Sequence, residues 1–133
     1  MLSYAITARR ENAHGSSAAV RDARVVLDTS LAGRADAFNP VELLLASLAA
    51  CMIKGIERAA PLLKFEFSAV TVALAATRQD APPKLLAITY EITVATPETA
   101  HRLDLLHTNL RKYGTISNTL ADAVPLTGTI RHA

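Results

Sequence analysis

Hydrophobic and polar positions along this chain follow two periods. Leu2, Tyr4, Ile6 and Ala8 alternate with Ser3, Thr7 and Arg9, which predicts a half-buried strand. Glu11-Asn12-Ala13-His14-Gly15 signals a turn, and strand character resumes over residues 18–28 around Val25-Val26-Leu27. Residues 31–38 read as a loop. The run Leu43-Leu-Leu-Ala-Ser-Leu-Ala-Ala-Cys-Met-Ile53 then carries a single polar residue, Ser47. The preceding Asn39-Pro40-Val41-Glu42 is a helix start. Asn39 can accept from a free N–H, Pro40 suits the first helical position, and Glu42 stands where a capping-box acid belongs. The helix is predicted over roughly residues 40–60, with Pro61 as its stop.

Residues 65–78 form a second long strand whose apolar phase shifts between Phe67 and Val70, the mark of a bulge or of a change of burial along its length. A turn at residues 80–83 leads to the cleanest alternation in the chain: Leu86, Ile88, Tyr90, Ile92 and Val94 against Ala87, Thr89, Glu91 and Thr93. Thr96 is the predicted cap of a helix with Ala100, Leu103, Leu106 and Leu110 on its apolar side and Gly114 as C-cap. A short helix over residues 117–123 and a strand over residues 126–130 complete the order βββ-α-ββ-αα-β. That order is an α+β fold in a single domain spanning residues 1–133.

A helix without a solvent face cannot be covered by one small sheet. A second copy of the chain solves this, in an obligate homodimer burying on the order of 2,000–5,000 Å². Half of the 133 residues are hydrophobic, a fifth are charged and the net charge is +2, which is a globular composition. Scattered basic residues and few aromatics argue against nucleic acid as a partner. The apolar run is too short to span a membrane, and the first ten residues do not read as a signal peptide. One cysteine permits no intrachain disulfide and favours a reducing, cytoplasmic setting. His14, His101, His107 and His132 lack metal-ligand spacing, so neither a metal nor a cofactor is expected.

Cys51 is the candidate for chemistry, either as a small buried hydrophobe or as a reactive thiol. The reactive species is the thiolate, and an ordinary thiol of pKa about 8.5 is only about 3% ionised at pH 7. The N-terminal dipole fades within the first turn, so a cation from elsewhere must reach a thiol this deep in a helix.

Phe38-Asn-Pro-Val-Glu-Leu-Leu-Leu-Ala-Ser-Leu-Ala-Ala-Cys51 resembles the central-helix motif of the OsmC/Ohr family (osmotically induced protein C and organic hydroperoxide resistance proteins). Ile116-Ser117-Asn118-Thr119-Leu120 is similar to its second motif. The resemblance implies an OsmC-like fold, with antiparallel sheets wrapped around central apolar helices in an intertwined homodimer. It also implies thiol-dependent reduction of organic hydroperoxides in a stress response, with Cys51 as the peroxidatic cysteine and Arg21 as the family's strand arginine, ahead of Arg24; the plain reading of Arg21 is a solvated strand residue whose fork of donors is otherwise free to hold peroxide oxygens. Two family positions differ: Gly114 replaces the resolving cysteine and Val41 the glutamate. Glu42, one residue further on, is a possible supporting acid and otherwise a capping residue. A carboxylate at position 41 would stand about 15 Å along the axis from Cys51.

Two functions follow as expectations. The first is a single-cysteine peroxidase in which Cys51 attacks an organic hydroperoxide and an external thiol reductant restores it. The alternative is a non-catalytic dimer that binds a small hydrophobic ligand at the subunit interface, with Cys51 part of the lining.

Overall fold

A computed structural model describes every residue from Met1 to Ala133. The elements are β1 (Thr7–Asn12), β2 (Gly15–Val20), β3 (Ala23–Leu27), α1 (Pro40–Leu63), β4 (Ala69–Asp80), β5 (Pro83–Ala95), α2 (Ala100–Tyr113), α3 (Thr115–Ala121) and β6 (Leu126–His132). Their order is the one the hydrophobic pattern predicts, and three helices with two three-stranded sheets make an α+β fold. No helix is long and apolar enough to cross a membrane. The chain divides into two compact units, Met1–Leu44 and Leu45–Ala133.

The first unit is an antiparallel sheet in the order β1-β2-β3. Residues 1–6 are not strand: Leu2, Tyr4 and Ile6 alternate as expected but stand exposed. The expected strand over residues 18–28 is two strands. Val20 pairs with Ala23, leaving Arg21 and Asp22 as a two-residue hairpin turn. Arg21 has φ of 51°, the left-handed conformation that such turns demand. Polar contacts hold the unit together. Ser16 and Thr29 share a hydroxyl hydrogen bond of 2.6 Å, and Ser17 donates to Glu11 at 2.9 Å. Asp28 accepts from the backbone N–H groups of Ser30 and Arg34. Every buried apolar side chain belongs to the other unit, whereas Val25, Val26, Leu31 and Phe38 are exposed here.

The second unit holds the core. Leu48, Met52, Ile56 and Ala59, spaced by four and three residues along α1, join one buried cluster with Ile88, Tyr90, Ile92 and Val94 of β5 and Leu103, Leu106 and Leu110 of α2. The helix runs past Pro61 to Leu63. Its end is closed by a left-handed Lys64 (φ 50°) and a Phe65 N–H to Ala60 carbonyl bond of 2.9 Å, a Schellman arrangement built without glycine. Arg102 on α2 donates to the carbonyls of Leu63 and Lys64 at 2.7 and 3.0 Å. Glu98 fixes that guanidinium at 2.9 Å. The helix therefore ends where its carbonyls find donors, three residues beyond the expected stop.

The second sheet is ordered β4-β5-β6. β4 and β5 are antiparallel, but β6 lies parallel to β5, so this sheet is mixed rather than wholly antiparallel. The phase change at residues 67–70 is not a bulge, since pairing from Ala69 to Thr77 is regular; the bulge lies in β5 instead. Thr77 pairs with Ala87 and Arg78 with Leu85, which leaves Leu86 as the extra residue and exposed. Phe65 and Phe67 precede β4 rather than starting it. The cap of α2 is Thr99, whose hydroxyl accepts from the Arg102 N–H, in place of Thr96. At Gly128 a side chain would overlap the ring and carbonyl of Tyr90, so glycine is what lets β6 lie beside it.

One polar cluster is set into this core. Tyr90 is buried, with its hydroxyl 2.6 Å from His107 Nε2 and 3.1 Å from Arg111 Nη1. Arginine has no acceptor, so Arg111 donates to the tyrosine oxygen, while the tyrosine hydroxyl and His107 Nε2 share the second hydrogen bond. Burial, then the neighbouring Arg111 charge, hold the His107 pKa below its usual 6.5, with Asp104 opposing. The unfolded chain therefore takes up a proton more readily. Stability is fully present above about pH 6.5 and declines as the pH falls toward the lowered folded-state value, by at most about 1.4 kcal/mol per pH unit. Urea titrations at successive pH values in that window should show a shallower decline for His107→Gln than for the native chain.

Candidate thiol site

The helix that carries the thiol starts as its sequence specifies. Asn39 Oδ1 accepts from the Glu42 N–H at 2.9 Å, and Glu42 Oε1 accepts from the Asn39 N–H at 3.0 Å. This reciprocal pair is a capping box, and it commits Glu42 to the helix end. Val41 beside it is half-buried.

Within the second unit, Cys51 is a free, half-buried thiol. At about 100° per residue it lies at one edge of the stripe formed by Leu48, Met52, Ile56 and Ala59. The residue is neither fully buried nor exposed. Ala50 and Ile53 on the outward side are exposed, so α1 has an uncovered apolar face in the single chain.

Lys54 and Arg58 follow Cys51 at three and seven residues, on the same edge of the helix. Side chains three apart on a helix have Cβ atoms about 5–6 Å apart, so Lys54 is a direct neighbour of the thiol. Arg58 lies about 10.5 Å further along the axis. Its guanidinium donates to Asn109 Oδ1 at 2.8 Å and sits 5.2 Å from the centroid of the Tyr113 ring. Gly55 makes this possible, because a Cβ there would stand 2.8 Å from Leu110 Cδ2, so α1 and α2 meet over a bare backbone.

Arg21 stands in the first unit, exposed at the hairpin turn rather than within a strand, with neither hydrogen bond nor ion pair. Gly114 caps α2, donating to the Leu110 carbonyl at 3.0 Å, but in extended backbone (φ −75°, ψ 115°). A Cβ built there would lie 2.8 Å from the Leu110 carbonyl oxygen and 3.2 Å from Ser117 Oγ. A side chain at this position requires the backbone to move, so a resolving cysteine is sterically incompatible with the α2–α3 junction as it stands. No three His, Cys, Asp or Glu side chains converge as a metal ion would need.

The family model for OsmC-like protein matches residues 33–128, which includes the capped helix, Cys51 and the α2–α3 junction. This chain belongs to the OsmC-like protein family. Among solved structures, it is similar to an OsmC-like protein from Mycoplasma pneumoniae, at 20% identity and a TM-score of 0.90, covering 99% of this chain and 98% of that one. An organic hydroperoxide resistance protein OsmC from Legionella pneumophila matches at 19% identity and TM-score 0.77, with 98% of each chain covered. The organic hydroperoxide resistance protein OhrB of Bacillus subtilis matches at 15% and 0.72, again over 98% of each. At these identities the likeness is one of fold. No curated protein matches the chain.

In this OsmC-like protein, Lys54 and Arg21 are the cations to test against the thiol. Alkylation by uncharged iodoacetamide at neutral pH reads thiolate content without attracting the reagent. Lys54→Gln should slow it several-fold if that lysine is the cation that serves the thiol. Arg21→Ala should slow it by a comparable factor if its turn reaches a thiol in the assembled protein. Unchanged rates in both variants would leave Cys51 as an inert packing residue.

Proposed function

We propose that this protein reduces organic hydroperoxides with a single cysteine, Cys51, and is restored by an external thiol reductant. The observation that carries this reading is a free, half-buried thiol on the family helix with a lysine one turn away. The reaction balances without a cofactor. The Cys51 thiolate attacks the terminal oxygen of the hydroperoxide, an S–O bond forms as the O–O bond breaks, and the departing alkoxide takes a proton to become the alcohol. Cysteine is oxidised by two electrons to the sulfenic acid. With no second cysteine in the chain, that acid waits for a thiol from solution. A reducing compartment such as the cytoplasm supplies one.

The same reading includes an intertwined homodimer. Two observations support it: the uncovered face of α1 around Ala50 and Ile53, and a first unit that exposes Leu2, Tyr4, Ile6, Val25 and Val26 while burying no apolar side chain. A second copy is the partner whose surfaces match both. In such a dimer Arg21, unengaged at its hairpin turn, is available to a thiol of either copy.

Cumene hydroperoxide tests the chemistry. One equivalent should convert Cys51 to a sulfenic acid that dimedone captures, and Cys51→Ser should neither label nor consume peroxide. Labelling no faster than that of free cysteine would sink the peroxidase reading, and apolar-ligand binding at the subunit interface would take its place. Light scattering at micromolar concentration should give about twice the mass of one chain. A folded monomer under those conditions would remove the dimer.

A further inference from the structure

Beyond the thiol, the second unit carries a cationic cluster with no counter-charge. Arg58 of α1 and Lys112 of α2 approach one aromatic ring, with Arg58 Cζ 5.2 Å and Lys112 Nζ 5.3 Å from the Tyr113 centroid. The ring is half exposed, at 52%. Ordinary reasons account for parts of this: Lys112 complements the helix C-terminus, and a cation over a ring is mildly favourable. They do not account for two cations on a single exposed ring with no carboxylate within ion-pair distance of either, while six other basic side chains of the chain are paired. Arg58 is held in place by Asn109 through one N–H only, which leaves most of its planar fork of donors for a ligand. Two cations beside an aromatic face, one of them held in place, make a local field that an anion satisfies.

The position of the cluster gives that anion a reason to be there. Arg58 lies on the same edge of α1 as Cys51, about 10.5 Å along the axis, with Lys54 between them. A molecule whose carboxylate rests on Arg58 and Lys112 can extend a thiol along this stripe toward the sulfur. We propose that the Arg58–Tyr113–Lys112 cluster docks the carboxylates of a low-molecular-weight thiol that reacts at Cys51. This rests on the hydroperoxide reading only for the origin of the sulfenic acid. The docked thiol condenses with that acid, forming an S–S bond and releasing water. A second molecule of thiol then attacks the mixed disulfide, leaving the Cys51 thiol and a small-molecule disulfide. The two thiols supply the two electrons.

Docking and peroxide chemistry are separated by probes that need no peroxide. Cys51 in the intact protein is reacted with dithiobis(nitrobenzoate), an anionic aromatic disulfide, and with uncharged dithiodipyridine, and the ratio of the two rates is taken. The ratio should fall about three- to tenfold in Arg58→Gln/Lys112→Gln, and by a similar factor at high salt. Arg10→Gln/Lys84→Gln removes the same net charge elsewhere and should leave the ratio unchanged. Lys112→Gln alone, which breaks no hydrogen bond of that side chain, gives an intermediate fall and serves if the double variant does not fold. In the second arm, mercaptosuccinate should restore peroxide-oxidised Cys51 faster than mercaptoethanol in the native chain, and lose that advantage in the double variant. A ratio indifferent to the cluster overturns the docking site. Normal charge selectivity with no sulfenic acid on adding cumene hydroperoxide overturns the peroxidase reading and leaves the docking site standing.

Discussion

The contact of the bare Gly55 position on α1 with the Leu110 side chain of α2 is the constraint around which this site is arranged. At Gly55 the backbone of α1 comes so near Leu110 of α2 that a methyl group would collide with it. Because the helices meet there, one turn further along Arg58 finds Asn109 and Tyr113 on α2. The same approach lets Leu48, Met52 and Ile56 share a cluster with Leu103, Leu106 and Leu110. It thereby sets which edge of α1 remains open, and Cys51 stands on that edge. A side chain at position 55 would have to displace the end of the Leu110 side chain from the core cluster.

Around that contact the fold secures two arginines of α2 by backbone carbonyls. Arg102 caps the C-terminus of α1 through Leu63 and Lys64, and Arg111 joins Tyr90 to the Leu126 carbonyl of β6. Guanidinium suits this work, being weakly hydrated and rich in fixed donors, so partial burial costs it less than it would an ammonium. Each arginine ties α2 to an element distant in sequence. α2 therefore acts as a brace between the end of α1 and the parallel edge of the sheet.

The sequence made much of this legible, and its failures have definite causes. The capping box, the order of elements and the inward face of β5 over Ile88–Val94 rest on local chemistry or strict alternation, and the structure keeps them. Leu86 breaks its alternation because the bulge consumes one residue, an event that no pattern within β5 alone reveals. α1 outlasts Pro61 because Arg102, about forty positions away, supplies donors at its end. Arg21-Asp22 was missed as a hairpin because neither residue is the glycine or asparagine that usually announces one. At the site, the motif located Cys51, and helical spacing held Lys54 in plain view. The obstruction at Gly114 needed coordinates, since it depends on the Leu110 carbonyl and Ser117 rather than on residue type.

The parallel strand β6 has a consequence for how the chain acquires its shape during synthesis. β4 and β5 form a local hairpin, but the edge of β5 beside Ile88–Val94 is filled only by residues 126–132, after α2 and α3 have been made. Leu126 contributes both a buried side chain and the carbonyl that Arg111 uses. Until β6 leaves the ribosome, β5 presents an unpaired edge of Ile, Tyr, Ile and Val, the kind of strand that recruits other chains. Long-range parallel pairing is also slow to form. The nascent protein thus passes through an interval in which its most hydrophobic strand is open, and that interval is a point at which chaperones could act on it.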